Sequence, residues 1–380
     1  MKIGIMTFWW TEDNYGQLLQ CYALQKYLRD LGHDAYLIRY KQKKREDTLS
    51  DIVVKSILYP SIAIKRILKI LRKNNRKEIP LETLERNKER LFPEFTSKYI
   101  KYSDHIYTQY EELQKNPPAA DIYIVGSDQI WNFSHPNNTS LNAYFLNFGT
   151  SNIKRISYSA SFGINKLSYS VKKRVKPLLQ RFSHVTVREN TGKVICDQMG
   201  IESKVVCDPT LLLSKNQWLD IADNTEIPKG KYVFAYILSN TCKISVQQLK
   251  QWAEKKGLGL IYVSGNVTWC DTDLDDQNVE KSYMTINNWI TCLANAEYIV
   301  TNSFHCCVFS LIFSKKIGVI PLTSELKNTN DRINSLFDNL KVTKTEIIDN
   351  NFPILEKLTE QNINTNFIED SKTFLQSMLM

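Results

Sequence analysis

Between Asp121 and Thr210 four short apolar runs follow one another, and each breaks directly into a polar loop. Asp121 to Val125 leads into Gly126-Ser127-Asp128-Gln129-Ile130-Trp131-Asn132. Arg155 to Ser159 leads into Ser159-Ala160-Ser161-Phe162-Gly163, Val185 to Val187 into Arg188-Glu189-Asn190, and Lys204 to Cys207 into Asp208-Pro209-Thr210. Successive strands that end in polar loops make the binding face of a parallel α/β sheet. The chain opens the same way. Lys2 to Phe8 is a buried-strand pattern, and the polar loop Trp9 to Tyr15 follows it. Leu18, Leu19, Tyr22, Ala23, Tyr27, Leu28 and Leu31 then recur mostly at helical spacing, Gly32 marks the stop, and Ala35 to Tyr40 is the next strand.

After the linker Ile227-Pro228-Lys229-Gly230 the alternation restarts with strand Tyr232 to Leu238, helix Val246 to Lys256 and strand Leu260 to Ser264. Helix Ile286 to Ala294, strand Tyr298 to Thr301, helix Phe304 to Phe313, strand Ile317 to Ile320 and helix Arg332 to Asn339 complete it. The expectation is two α/β domains, 1–228 and 229–380, the second with a helical tail, and a site in the cleft between them. A length of 380 residues accommodates two domains. With 43% hydrophobic and 23% charged residues the chain is globular, which excludes global disorder.

The net charge of +9 sits in one place: Arg39 to Arg90 holds sixteen Lys and Arg against seven Asp and Glu, and the remainder is neutral. A uniformly basic nucleic-acid binder is therefore excluded, and no nucleic-acid partner is expected. The segment reads as a helical basic insertion, about 41–95, in the first domain. Over 50–77 apolar residues such as Ile57, Leu58, Ile64 and Leu68 interleave with Lys65, Arg66 and Lys69. Such a face suits an anionic membrane surface or a lipid-linked acceptor, and the plainer reading is a helical insertion with a solvated face. No stretch approaches the length of a membrane span, and the start is too short for a signal peptide. Eight cysteines without a C-x-x-C pair argue against zinc and a disulfide framework, so a reduced cytoplasmic protein is expected.

Thr301-Asn302-Ser303-Phe304-His305-Cys306-Cys307 carries the most chemistry. Ser303 is placed to cap the helix and His305 falls in its first turn. The free amides there suit a phosphate or carboxylate, and the same field favours a neutral imidazole able to act as a base. The alternative is a capping or core histidine. Arg188 can clamp an anion through its planar fork or pair with Glu189. Lys327 and Arg332 are positioned for a second anionic contact. The acidic run Asp271 to Asp276 lacks the glycine and glutamate of a calcium loop, and no metal is expected. Adjacent Cys306 and Cys307 read as packing rather than as nucleophiles. The glycine-rich phosphate loops and the G-x-S-x-G elbow are absent, which removes the dehydrogenase, P-loop kinase and α/β-hydrolase readings.

In order along residues 3–340, the chain resembles the polysaccharide pyruvyltransferase family of capsule and cell-wall polymer synthesis. The matching stretches are Asn14-Tyr15-Gly16-Gln17-x-Leu19-Gln20-x-Tyr22-Ala23-Leu24, Val125 to Asn132, Ser159 to Gly163, Val187-Arg188-Glu189, Asp208 to Leu213 and Thr301 to His305. The resemblance implies a glycosyltransferase-B-type α/β fold, with two Rossmann-like domains facing a cleft. It implies transfer of the pyruvyl group of phosphoenolpyruvate to a sugar as a cyclic ketal, phosphate leaving, with no further cofactor. Arg188 matches the donor-binding arginine, also a catalytic candidate, and His305 the catalytic histidine. Ser303 stands where many members carry arginine, so Arg332 or Lys327 is expected to supply the missing charge beside it. Asn14, Gln17, Asp128, Gln129, Trp131 and Asn132 are expected to bind the acceptor, Trp131 by stacking. The implied partners are phosphoenolpyruvate and the sugar of a lipid-linked oligosaccharide at the inner face of the cytoplasmic membrane. The alternative is a glycosyltransferase of the same fold that takes a nucleotide sugar at the helix Phe304 to Phe313.

Overall fold

The computed structural model describes residues 1–41, 85–133, 140–223, 228–238, 244–265, 279–322 and 330–380. The basic segment 50–77, Lys327 and the acidic run Asp271 to Asp276 lie outside these residues, as does the start of the expected linker, Ile227.

Two fully parallel sheets carry the fold. The first is built from β1 (Lys2–Met6), β2 (Asp34–Tyr40), β3 (Tyr102–Tyr107), β4 (Ile122–Val125) and β5 (Lys154–Ser157), in the order β3-β2-β1-β4-β5. A short parallel pair, β6 (Thr186–Val187) and β7 (Lys204–Val205), extends it. Bridges from Ile156 to His184 and from Ala160 to Val187 join that pair to the β5 edge. The second sheet holds β8 (Tyr232–Ile237), β9 (Gly259–Ser264), β10 (Tyr298–Thr301) and β11 (Lys316–Val319), in the order β11-β10-β8-β9. Each order reverses direction once, between β1 and β4 and between β8 and β10. Ligand sites in open α/β sheets form at the carboxyl ends of such switch points.

Period-two alternation divides the core into three layers. Ile3 and Ile5 of β1 and Tyr232, Phe234 and Tyr236 of β8 contribute to one continuous apolar cluster that spans both sheets. Met6, Tyr36, Ile38 and Tyr123 face the far side of the first sheet. Val233, Ala235 and Ile237 face the far side of the second. At the centre of the shared layer Tyr15 stacks on Trp289 with centroids 5.5 Å apart, and meets Phe92 and Tyr236 edge-on. Its hydroxyl donates to the Met284 carbonyl at 2.7 Å. The Arg90 guanidinium lies over the same ring and donates to the Ser264 carbonyl at 2.8 Å, at the end of β9.

The helix Tyr15–Asp30 matches the apolar repeat and stops before Gly32, which takes the left-handed φ of 85°. Two features depart from expectation. Edge strand β3 has no apolar run to betray it, because Asp104, His105 and Ile106 face solvent. The tail helix Asn366–Leu379, grouped by sequence with the second domain, packs on the first sheet's side. There the Ser371 hydroxyl accepts from the Cys207 amide at 3.0 Å, and Phe374 lies beneath the Lys204 ammonium. Among the described residues no helix is long and apolar enough to cross a membrane.

Because Tyr15 fills the seam between the sheets, Tyr15→Ala is expected to cost about 3–5 kcal/mol of unfolding free energy, the range for emptying a buried aromatic site. Urea denaturation would check this, and a loss under 1 kcal/mol would show that the seam carries little stability.

Candidate active site

The site is organised around one carboxylate. Asp208 follows β7 and is 2% exposed. Its Oδ1 accepts from the Thr210 amide at 3.0 Å and the Thr210 hydroxyl at 2.7 Å, capping the short turn Pro209–Leu212. Its Oδ2 accepts from the Ser127 hydroxyl at 2.7 Å and from Nη1 of Arg188 at 3.0 Å. From the second sheet, Nε2 of His305 lies 3.6 Å from the same oxygen. Burial alone would raise this carboxyl, but His305, Arg188 and Thr210 reverse that and hold it well below its ordinary value of 3.8.

Local sequence places each partner. Ser127 belongs to the loop after β4, where Asp128 takes a left-handed φ of 74° and accepts from the Gln129 amide. Such strain in a non-glycine residue persists where surrounding contacts enforce it. Arg188 directly follows β6, and its guanidinium lies 4.2 Å from the Phe304 ring. Ser303 caps the helix Phe304–Ile312 by accepting from the Cys306 amide, so His305 stands in the first turn as the sequence predicts. Gly16, in the first turn of the helix Tyr15–Asp30, packs against the imidazole so closely that any Cβ there would overlap Nδ1 and Cγ. Two helix N-termini thus meet at His305, and both favour negative charge.

Several buried nitrogens here have no hydrogen-bond partner: Nε and Nη2 of Arg188, Nε of Arg332 and Nε2 of His305. Arg332, from the helix Asn330–Leu340, is drawn down to about 10 by burial and then by the neighbouring Arg188 guanidinium, and stays charged at neutral pH. Buried N–H groups of two neighbouring guanidiniums are costly to leave unmade and call for an anion with several acceptor oxygens.

The expected acceptor residues fare differently. Asn14 caps the helix Tyr15–Asp30 through the Gln17 amide, and the Gln17 side chain donates to the Trp10 carbonyl at 2.7 Å. Gln129 accepts from the Asn132 side chain at 2.7 Å. Trp131 requires correction as a stacking platform. It is 0% exposed, lies 5.0 Å from Phe145 at an interplanar angle of 8°, and donates to the Tyr144 carbonyl. Its faces are committed to the core. Burial pushes the Cys306 thiol up to about 12 and raises the Cys307 thiol as well, which suits packing rather than nucleophilic attack. Sequence reasoning passed over Asp208, Ser127 and Gly16 as site residues, although each lies in one of the quoted motifs.

The profile of a protein family described as polysaccharide pyruvyl transferase matches residues 14–322. The chain belongs to that family. It is therefore an enzyme, a transferase acting in pyruvyl transfer to polysaccharide. Among solved structures it is similar to the UDP-GlcNAc 2-epimerase of Methanocaldococcus jannaschii in complex with UDP-GlcNAc and UDP. The TM-score is 0.52 at 13% identity, over 100% of this chain and 99% of that one. The UDP-N-acetylglucosamine 2-epimerase of Rickettsia bellii gives 0.52 at 10% identity, over 100% and 96%. At such identities the likeness concerns the fold: two Rossmann-like domains in the glycosyltransferase-B arrangement. No curated protein matches the chain.

Two substitutions probe this geometry. Gly16→Ala is expected to displace the imidazole, lowering turnover at least tenfold while costing about 1–3 kcal/mol of stability from overpacking. Wild-type turnover in that variant would refute the contact. For Asp208, the folded carboxyl lies below its unfolded value, so its stabilising contribution is full above pH 3.8 and fades as pH falls through the folded value. Asp208→Asn is expected to cost about 3–5 kcal/mol at pH 7. The gap to wild type should close by up to about 1.4 kcal/mol per pH unit below that point. Urea titrations at pH 7, 4 and 3 measure the gap, and a constant gap would overturn the assignment.

Proposed function

We propose that the chain transfers the pyruvyl group of phosphoenolpyruvate to two hydroxyls of one sugar in a lipid-linked precursor of a polysaccharide, forming a cyclic ketal and releasing phosphate. The observation that carries this reading is the set of unpartnered buried N–H groups on the Arg188 and Arg332 guanidiniums beside His305, where two helix N-termini meet. Phosphoenolpyruvate brings a carboxylate and a phosphate, and each accepts several hydrogen bonds from a guanidinium fork. Arg332 supplies the positive charge that Ser303 does not.

The reaction needs proton movement at defined atoms. Protonation of C3 makes C2 electrophilic, and one sugar hydroxyl then attacks C2 while losing its proton. His305 gives the proton to C3 and recovers one from that hydroxyl. Asp208 acts through it as a positioning group, its Oδ2 lying 3.6 Å from Nε2. The second hydroxyl then closes the ketal at C2 as phosphate departs. No further cofactor enters this scheme.

A thermal-unfolding titration tests the donor. At about 100 times its dissociation constant, phosphoenolpyruvate should stabilise the protein by about 2.7 kcal/mol. Arg188→Ala should abolish the effect and Arg332→Ala weaken it at least tenfold in apparent affinity. Stabilisation by a nucleotide sugar, with no response to phosphoenolpyruvate, would replace this reading with that of a glycosyltransferase.

A further inference from the structure

The scheme leaves Glu189 unused, although it adjoins Arg188 and is 1% exposed. Its two carboxyl oxygens are treated unequally. Oε1 accepts from the Ser161 hydroxyl at 2.9 Å, from the Phe162 amide at 2.9 Å and from the Gly163 amide at 3.4 Å. Oε2 is just as buried and has no hydrogen-bond partner. It lies 3.9 Å from Nε of Arg188, which is itself unpartnered. A carboxylate serving only to hold the loop after β5 gains nothing from a second oxygen that is buried without a hydrogen bond beside the donor-binding arginine.

Resting on the donor reading above, we propose that Glu189 is a second catalytic proton carrier: it is protonated as the donor binds and passes that proton to the departing phosphate. The stoichiometry calls for such a group. Two hydroxyls lose protons, C3 gains one, and phosphate leaves as its hydrogen form only if it gains the other. His305 accounts for the first exchange. In the second, the Oε2–H proton moves to the bridging oxygen of phosphate as the C2–O bond breaks and the second sugar oxygen bonds to C2. The Glu189 carboxylate then takes the proton of that hydroxyl, so each carrier gives one proton and recovers one.

Electrostatics supports the loading step. The groups facing Glu189 are Arg188 beside it, Arg332 from the helix Asn330–Leu340, and the Ser161 hydroxyl with the amides of Phe162 and Gly163 from the β5 loop. Cys196, from the helix Asn190–Asp197, is a thiol that burial keeps protonated. Burial already raises the Glu189 carboxyl against the pull of the two arginines. An anion held by Arg188 and Arg332 competes with the carboxylate for the same positive charge, so its binding favours the protonated acid.

Calorimetric titration of the full chain with phosphoenolpyruvate, in buffers of different ionisation enthalpy, reads proton uptake directly. Wild type should take up more protons on binding than Glu189→Gln, by up to about one. The variant should still bind phosphoenolpyruvate, and turnover should fall roughly 10²- to 10⁴-fold, the range for general acid–base groups. Equal uptake in both proteins would overturn the proposal, as would loss of phosphoenolpyruvate binding in a Glu189→Gln protein whose unfolding midpoint is unchanged. Should that variant not fold, Glu189→Asp retains a carboxyl: retained uptake supports the proposal and lost uptake overturns it. Failure of wild type itself to bind phosphoenolpyruvate would instead remove the donor reading.

Discussion

A single buried carboxylate ties the two halves of this enzyme to one another at the point where chemistry takes place. Asp208 belongs to the first sheet, yet the group its charge serves, His305, comes from the second. An isolated carboxylate at that depth would be prohibitively desolvated. It persists because Thr210, Ser127 and Arg188 satisfy both of its oxygens from within the first half. The second half is thus offered a preformed negative site, and the imidazole docks on it.

The same economy explains why the cluster is poised for an anion. Asp208 spends its charge on Arg188 and His305, and burial disfavours the charge on Glu189. Arg188 and Arg332 remain, side by side and incompletely hydrogen-bonded. Two like charges at close range are tolerated where a guest of opposite charge completes the set, and functional sites are where such perturbed groups collect. The aromatic seam around Tyr15 and Trp289 supplies the rigid backing that keeps both halves in register.

Much of this was legible in the residues. The strand-to-loop transitions located Arg188 and the Gly126–Asn132 loop, and the helix start at Ser303 located His305, because those features are set by local periodicity and capping. Asp208 lies inside a recognisable stretch, but its importance arises from a partner nearly a hundred positions away in the chain. Gly16 was invisible as a site residue because its requirement is steric and tertiary: only contact with the imidazole forbids a Cβ. Trp131 misled in the opposite direction. A tryptophan in a polar loop beside a binding face suggests a sugar platform, whereas this ring is fully buried, stacked on Phe145 and packed against a tilted Phe162. Edge strand β3 escaped because half of its side chains face water, which erases the apolar signal.

The return of the last helix to the first sheet bears on how the molecule comes to be made. Ile368, Leu375 and Met378 sit in the same cluster as Val206, Cys207 and Leu211, the residues that flank Asp208. During synthesis the first half emerges complete in its strands but without the cover that its own core requires. That apolar wall stays open to water, or to a chaperone, until the helix Asn366–Leu379 has been made. Asp208 itself takes its hydrogen bonds from within the first half, so what the distant helix adds is apolar backing for the turn that carries the carboxylate.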